Sequence, residues 1–194
     1  IAAAHISLFD ATYVRFYHTK LMLEGKGHPA HKIICRSADL NSKARYSVES
    51  LLHDRQINNI SYCVNMQDSW ELVEEVVSML STLQVHVNVR VHDADSRLKA
   101  FKKMFKGADG VVVESSSVSP FEKYVENKDI VICGISGVAG DCVVANTPVV
   151  SLWRGDAKLQ DLYGLIDFYN IPQFASAEAF AGYFHSLNTG AEVQ

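Results

Sequence analysis

"DIVICGISGVAGDCVVANTPVVSL" occupies residues 129–152. It opens with a short apolar run, 130–134, rich in Ile and Val, as buried strands are. The chain leaves that run through Gly134-Ile135-Ser136-Gly137 and enters the small-residue run 137–146, which reads as a helix. Asn146-Thr147-Pro148 stops the helix, and 148–152 is a second apolar run. Strand, tight turn, helix and strand in immediate succession predict a parallel pair joined by a helical crossover.

The same alternation extends outward. Strand patterns recur at "KIICR" (32–36), "NISYCV" (59–64), "VHVNVRV" (85–91) and "GVVVE" (110–114). The third alternates apolar and polar residues throughout, so one of its faces is polar or it lies near a sheet edge. Helical patterns fill the gaps. "SWELVEEVVSMLSTL" (69–83) repeats apolar residues at Leu72, Val73, Val76, Val77, Leu80 and Leu83, near the helical period. Asp68 or Ser69 can cap it, and Glu71 lies in its first turn. Residues 95–105 repeat the device with Asp95 or Ser96 as cap. Residues 119–127 do so with Ser119 as cap and Pro120 in the first helical position. A further helix is expected over 176–187, and the pattern of 11–25 is also helical, stopped by Gly25 and Gly27. The fold expected is α/β and Rossmann-like: a mostly parallel sheet with helices on both faces.

Composition narrows the function. The chain has 194 residues, 48% hydrophobic and 21% charged, which is ordinary for a globular protein with a sizeable core. A formal net charge of −4 argues against a general nucleic-acid binder. Four cysteines (Cys35, Cys63, Cys133, Cys142) form no close pair and read as reduced, mostly buried thiols, which points to the cytoplasm. No apolar run approaches the ~20 residues of a membrane span. The opening "IAAAHISLFD" has neither a basic start nor a long apolar stretch, so no signal peptide is expected.

In such sheets ligands bind outside the carboxyl ends of the strands, so the chemistry is expected in the loops that follow strands. These are "NMQDS" (65–69), "HDADS" (92–96), "ESSSVS" (114–119), "GISG" (134–137) and "WRGD" (153–156). In the fourth, glycines allow close backbone approach, and a helix start offers unpaired N–H groups. With the Ser136 hydroxyl this is either a phosphate cradle or a tight turn whose serine caps the helix. His92 can donate to a phosphate, move a proton, or pair with Asp93 or Asp95. His86, on the same strand face by parity, reads as structural. Glu114 can hold a sugar or ribose hydroxyl, or be part of a polar connection. Asp93 and Asp95 read as caps in preference to metal ligands. Trp153 and Arg154 offer stacking and an anion contact, or are ordinary loop residues. No Walker loop, dinucleotide fingerprint or nucleophile elbow occurs.

Residues 59–152 resemble the C-terminal, nucleotide-sugar-binding domain of GT-B-fold glycosyltransferases, closest to bacterial sialyltransferases and capsule polysaccharide transferases. There a strand ends at His-Pro, the His contacting phosphate. A later aspartate-led strand, serine loop and Gly-x-Pro-Val-Val segment hold phosphate as well. This chain has "VNVRVHDAD" and "DIVICGISGVAGDCVVANTPVV" in those places. Asp93 stands for the proline, a single Ser136 for a serine pair, and Asp141 near the usual Glu. The resemblance implies a nucleotide sugar as substrate, a glycan acceptor and no cofactor or metal. It places His92, Gly134, Ser136 and Gly137 on the nucleotide phosphates, and more weakly Glu114 and Ser116 on the sugar or ribose. The family's catalytic base lies in an N-terminal Rossmann domain, within an acidic-acidic-Gly motif that residues 1–58 lack, so no base is assigned. The organisation expected is an N-terminal segment (1–58) with a helix, a first strand and a helix, then the nucleotide-sugar-binding domain (59–194), or one continuous domain. Polysaccharide biosynthesis is the implied setting, with peripheral membrane association and a partner domain or homo-oligomer left open. The alternatives are a non-catalytic interaction module and an enzyme like the UDP-sugar 2-epimerases, which share the fold.

Overall fold

A computed structural model describes residues 11–14, 17–35, 46–155, 161 and 164–189. The main sheet has six strands: β3 (Asn59–Val64), β4 (His86–Val91), β5 (Val111–Ser115), β6 (Ile130–Cys133), β7 (Val149–Leu152) and β8 (Gln173–Phe174). All neighbours are parallel, in the order β5-β4-β3-β6-β7-β8. The first three strands run outward from β3, and the chain then returns to the other side of β3 and runs the opposite way. That reversal puts a topological switch point between β3 and β6, where Ile60 pairs with Ile130 and Cys63 with Cys133.

Helix α2 (Val48–Leu52) precedes β3, and the connections are helical: α3 (Trp70–Ser81), α4 (Leu98–Met104), α5 (Phe121–Val125), α6 (Val138–Val144), α7 (Leu165–Tyr169) and, after β8, α8 (Ala177–Thr189). They cover both faces, because the strand alternation feeds two apolar layers. Ile60, Tyr62, Val64, Val87, Val89, Ile130 and Ile132 face α3, Phe101 of α4, and Phe180 and Phe184 of α8. Cys63, Val131, Cys133 and Val149 face Tyr124 of α5, Cys142 of α6 and Ile166 of α7. Leu72, Val73, Val76, Val77 and Leu80 of α3 are all buried. At ~2 kcal/mol each their transfer stabilises the α3–sheet contact by on the order of 10 kcal/mol, before chain entropy is subtracted. Ser69 caps α3 by accepting from the Leu72 N–H at 3.3 Å, as its sequence position implies. None of the four cysteines is in a disulfide, and three of them are buried.

Four expectations are corrected. Residues 11–25 are not one helix: β1 (Thr12–Val14) precedes α1 (Tyr17–Gly25). Thr-Tyr-Val is a β-favouring triplet, and it finds a partner in β2 (Ile33–Cys35). That pairing forms a separate two-stranded parallel sheet, so the 32–36 segment is not part of the main one. α4 has neither Asp95 nor Ser96 as its cap residue. The helix starts after Arg97, which makes no side-chain cap bond. α5 starts after Pro120, one residue later than expected. The polar face of β4 is explained by Arg90, buried between sheet and α5 with its guanidinium 4.2 Å from the Tyr124 ring centroid and donating to the Ser116 and Ser119 carbonyls at 2.7 Å. Residues 1–10, the 36–45 segment and Asp156 of the "WRGD" loop lie outside the described residues.

Candidate functional site

The carboxyl ends of β3, β4, β5 and β6 form one rim, and hydrogen bonds tie its loops together. β3 ends in a four-residue turn in which the Asp68 N–H donates to the Asn65 carbonyl at 3.0 Å. The Asn65 N–H in turn donates to Asp68 Oδ2 at 2.8 Å, closing the turn on itself. Asn65 Nδ2 reaches across the switch point and donates to the Ile135 carbonyl at 2.6 Å. The 65–68 and 134–137 loops are therefore one unit. A Cβ built on Gly134 would overlap Asp68 Oδ1, so any larger residue there would have to displace the Asp68 carboxyl.

β4 ends in a turn of the same length: the Asp95 N–H donates to the His92 carbonyl at 2.9 Å. Arg97 locks it. Its Nε lies 3.0 Å and 3.2 Å from the two Asp95 carboxylate oxygens, and its Nη2 lies 2.8 Å from Oδ2. The same guanidinium donates across to the first turn, to the Asp68 carbonyl at 2.8 Å and the Asn65 carbonyl at 2.7 Å. Its hydrogen bonds hold the Asp95 carboxyl below the usual carboxylate range. Asp68 goes the other way: burial, with one backbone donor and Arg97 only partly opposing it, pushes its carboxyl up to about 7.

The sequence-predicted residues fall into two groups. Gly134, Ser136 and Gly137 form the turn into α6 at the switch point. Ser136 Oγ accepts from the Val138 N–H at 3.2 Å, a local capping contact. The N–H groups of Ile135, Ser136 and Gly137 donate to no described residue. Gly137 has open space where a Cβ would stand, so it is not sterically required. His92 and Ser116 form the second group. The exposed His92 ring accepts the Ala94 N–H at Nδ1, 3.2 Å away, which leaves Nε2 as its donor. Protonated, Nδ1 can turn to Asp93 Oδ1 at 3.2 Å. Ser116 Oγ accepts from the Asp93 N–H at 3.0 Å, tying the loop after β5 to the His92 turn. The two groups flank the end of β3, roughly 10 Å apart at two strand spacings. Glu114 is not on the rim. It is half-buried within β5, in register with Arg90.

Two loop residues have other employment. Trp153 is buried, and Arg154 makes a paired contact with Glu75 of α3 at 3.0 Å and 2.6 Å. His86 lies at the opposite end of β4 from the rim. Among the described residues no three His, Cys, Asp or Glu side chains cluster as metal ligands. None of the described helices is long and apolar enough to cross a membrane. A cleft of ≈1370 Å³ opens at the amino ends of β3 and β4, between the ends of α3 and α8 and the segment before β3. It is at the wrong end of a parallel sheet for the binding these folds perform. Sequence reasoning missed Asn65, Asp68 and Arg97 as site residues. For Asn65 and Asp68 the available signal was the repeated spacing of a polar residue at the strand end and an aspartate three positions on; Arg97 carried none.

No protein-family model and no curated protein sequence matches the chain. Its fold does match solved structures. The E. coli heptosyltransferase WaaC with ADP superposes with a TM-score of 0.51 at 13% identity, over 67% of this chain and 44% of that one. WaaC with ADP-2-deoxy-2-fluoro heptose gives 0.50 at 13%, over 72% and 47%. Acinetobacter baumannii MurG gives 0.48 at 11%, over 75% and 45%. The chain thus spans less than half the length of the structures it matches. Its fold is α/β and Rossmann-like, like that of one part of these GT-B-fold structures.

Proposed function

We propose that this chain is a glycosyltransferase or its donor-binding half, holding a nucleotide-activated sugar for transfer to a glycan acceptor. The observation that carries the reading is the coincidence of two things. A glycine turn with free N–H groups lies at the switch point of the sheet, and the fold is that of an enzyme whose structures hold ADP and an ADP-sugar. In this reading the N–H groups of Ile135, Ser136 and Gly137 and the Ser136 hydroxyl meet the phosphates, and Gly134 gives the turn its close seat on β3. His92 donates from Nε2 across the end of β3. Fixed donors of this kind stabilise the charge that develops on a nucleotide leaving group. Ser116, tied to the His92 turn, is the nearer candidate for a ribose or sugar hydroxyl, and Glu114 the more remote one. The base that deprotonates the acceptor is not assigned. The setting is polysaccharide assembly by a cytoplasmic protein, with a partner domain or second copy completing the acceptor side.

The test is a thermal-shift screen with ADP, UDP, CMP, CDP, GDP and their sugar conjugates. A ligand that binds only the native state stabilises it by ~2.7 kcal/mol at one hundred times its dissociation constant. One nucleotide class should raise the melting temperature, and His92→Ala and Ser136→Ala should each weaken its binding about tenfold or more. No shift with any of them at millimolar concentration would overturn the reading in favour of a non-catalytic interaction module.

A further inference from the structure

Asp68 is the buried carboxyl that the proposed function leaves unused. It is 4% exposed, yet it carries a carboxylate oxygen, Oδ1, with no hydrogen-bond partner among the described residues. That oxygen is the one pressed against Gly134. Its other oxygen holds the Asn65 N–H, and Asn65 holds the Ile135 carbonyl. A chain of contacts thus runs from one side chain in the turn after β3 to the centre of the glycine turn. A second orphan lies nearby: the hydroxyl of Tyr62, fully buried on β3, is also unpartnered and interacts with the Asp68 charge.

We propose that Asp68 is the positioning residue of the 134–137 turn, seating it against the end of β3 so that its N–H groups converge on the ligand. The residue touches no ligand itself, because Oδ1 is sealed from solvent. The inference deepens the donor-binding reading and rests on it for the identity of the ligand alone. Seating requires the neutral acid. A neutral carboxyl can lie with Oδ1 against Gly134, whereas a carboxylate there has a buried charge with no donor on that oxygen. The surrounding groups do not neutralise it. Arg97 gives its side-chain bonds to Asp95 and reaches Asp68 only at the main-chain carbonyl. Asp95 opposes ionisation. Tyr62, Cys63 and Cys133 are held neutral by burial, their own ionisation pushed up. The Asp68 carboxyl, at about 7, therefore charges within the physiological range, and the turn loses its seat as it does so.

The experiment is amide hydrogen exchange of 134–138 in the free chain between pH 5.5 and 8.5, corrected for intrinsic base catalysis. It is run on wild type, Asp68→Asn and Asp68→Ala, with ADP or the best nucleotide titrated in parallel. Wild type should show protection that falls about tenfold or more across an inflection near pH 7. Asp68→Asn, which stays neutral, should keep the low-pH protection at every pH. Asp68→Ala should be poorly protected throughout. Nucleotide affinity should follow the same three patterns. A wild-type profile without inflection, or Asp68→Asn and Asp68→Ala behaving alike, would overturn the proposal. The two readings separate cleanly. The exchange pattern without nucleotide binding supports the positioning role and sinks the donor reading. Binding that is flat in pH and within twofold in Asp68→Ala does the reverse.

Discussion

Two turns of equal length leave neighbouring strands, and they treat the same residue in opposite ways. Asn65-Met66-Gln67-Asp68 follows β3, and His92-Asp93-Ala94-Asp95 follows β4. Both aspartates close the turn through the backbone, and both are buried, at 4% and 5% exposure. Asp95 has a guanidinium on its carboxylate and is held ionised. Asp68 has one backbone N–H and is pushed towards the neutral acid. Depth does not decide the charge state of a buried carboxyl here. The partner does, and Arg97, which sits between the turns, gives its side-chain contacts to one and only main-chain contacts to the other.

The largest way to break the comparison is Arg97→Met. It strips Asp95 of its charge partner and two carbonyls of the first turn of their donor. Removing one member of a buried pair costs about 3 kcal/mol or more. The check is the urea midpoint at pH 7. The variant should also lose the acid limb of its stability curve. The depressed Asp95 stabilises wild type above its unfolded value of roughly 4, an advantage lost as pH falls through the folded value below it. A midpoint unchanged from wild type would mean that the pair contributes nothing.

Asp68→Asn comes next, with the opposite sign. A raised carboxyl favours folding below its unfolded value of roughly 4 and loses that advantage as pH rises through about 7. The amide does not titrate. The variant should therefore gain on wild type by on the order of 3 kcal/mol between pH 4 and pH 8, read from denaturation midpoints across that range. Parallel curves would show that Asp68 ionises as freely folded as unfolded.

Smaller effects sharpen the contrast. Ser69→Ala removes the cap of α3 and should cost about 1 kcal/mol, whereas Ser96→Ala, before a helix without a side-chain cap, should stay within about 0.5 kcal/mol. Gln84 ends the same connection in a left-handed conformation, φ 55°. Gln84→Gly should stabilise by about 0.5 kcal/mol and leave the pH profile untouched, since it lies outside both turns.

How much of this was legible beforehand follows from what each feature depends on. The 59–64 strand and the α3 cap are local matters of apolar period and a hydroxyl at a helix start, and both stand where the sequence puts them. The Thr12–Val14 strand was hidden because three residues before a helical pattern carry too little periodicity to compete with it. The sheet order was not local either. The glycine turn was visible as a motif, but its partner was not. What joins Asn65 to Ile135 and sets the Asp68 carboxyl against Gly134 is a contact across the switch point, and nothing near 65 announces it. Arg97 was invisible for the same reason. Its partner Asp95 is two residues away, but its importance lies in two carbonyls on another loop.

That separation has a kinetic consequence. The bond that joins the two loops of the crevice spans 70 residues of chain, and every pair in the main sheet is a parallel one. Pairings of this range form only after a large loop has been closed, and their entropy is lost before any contact rewards it. The crevice should therefore be the last part of the sheet to assemble on refolding. It is also the part whose exposed edges are open longest to the wrong neighbour.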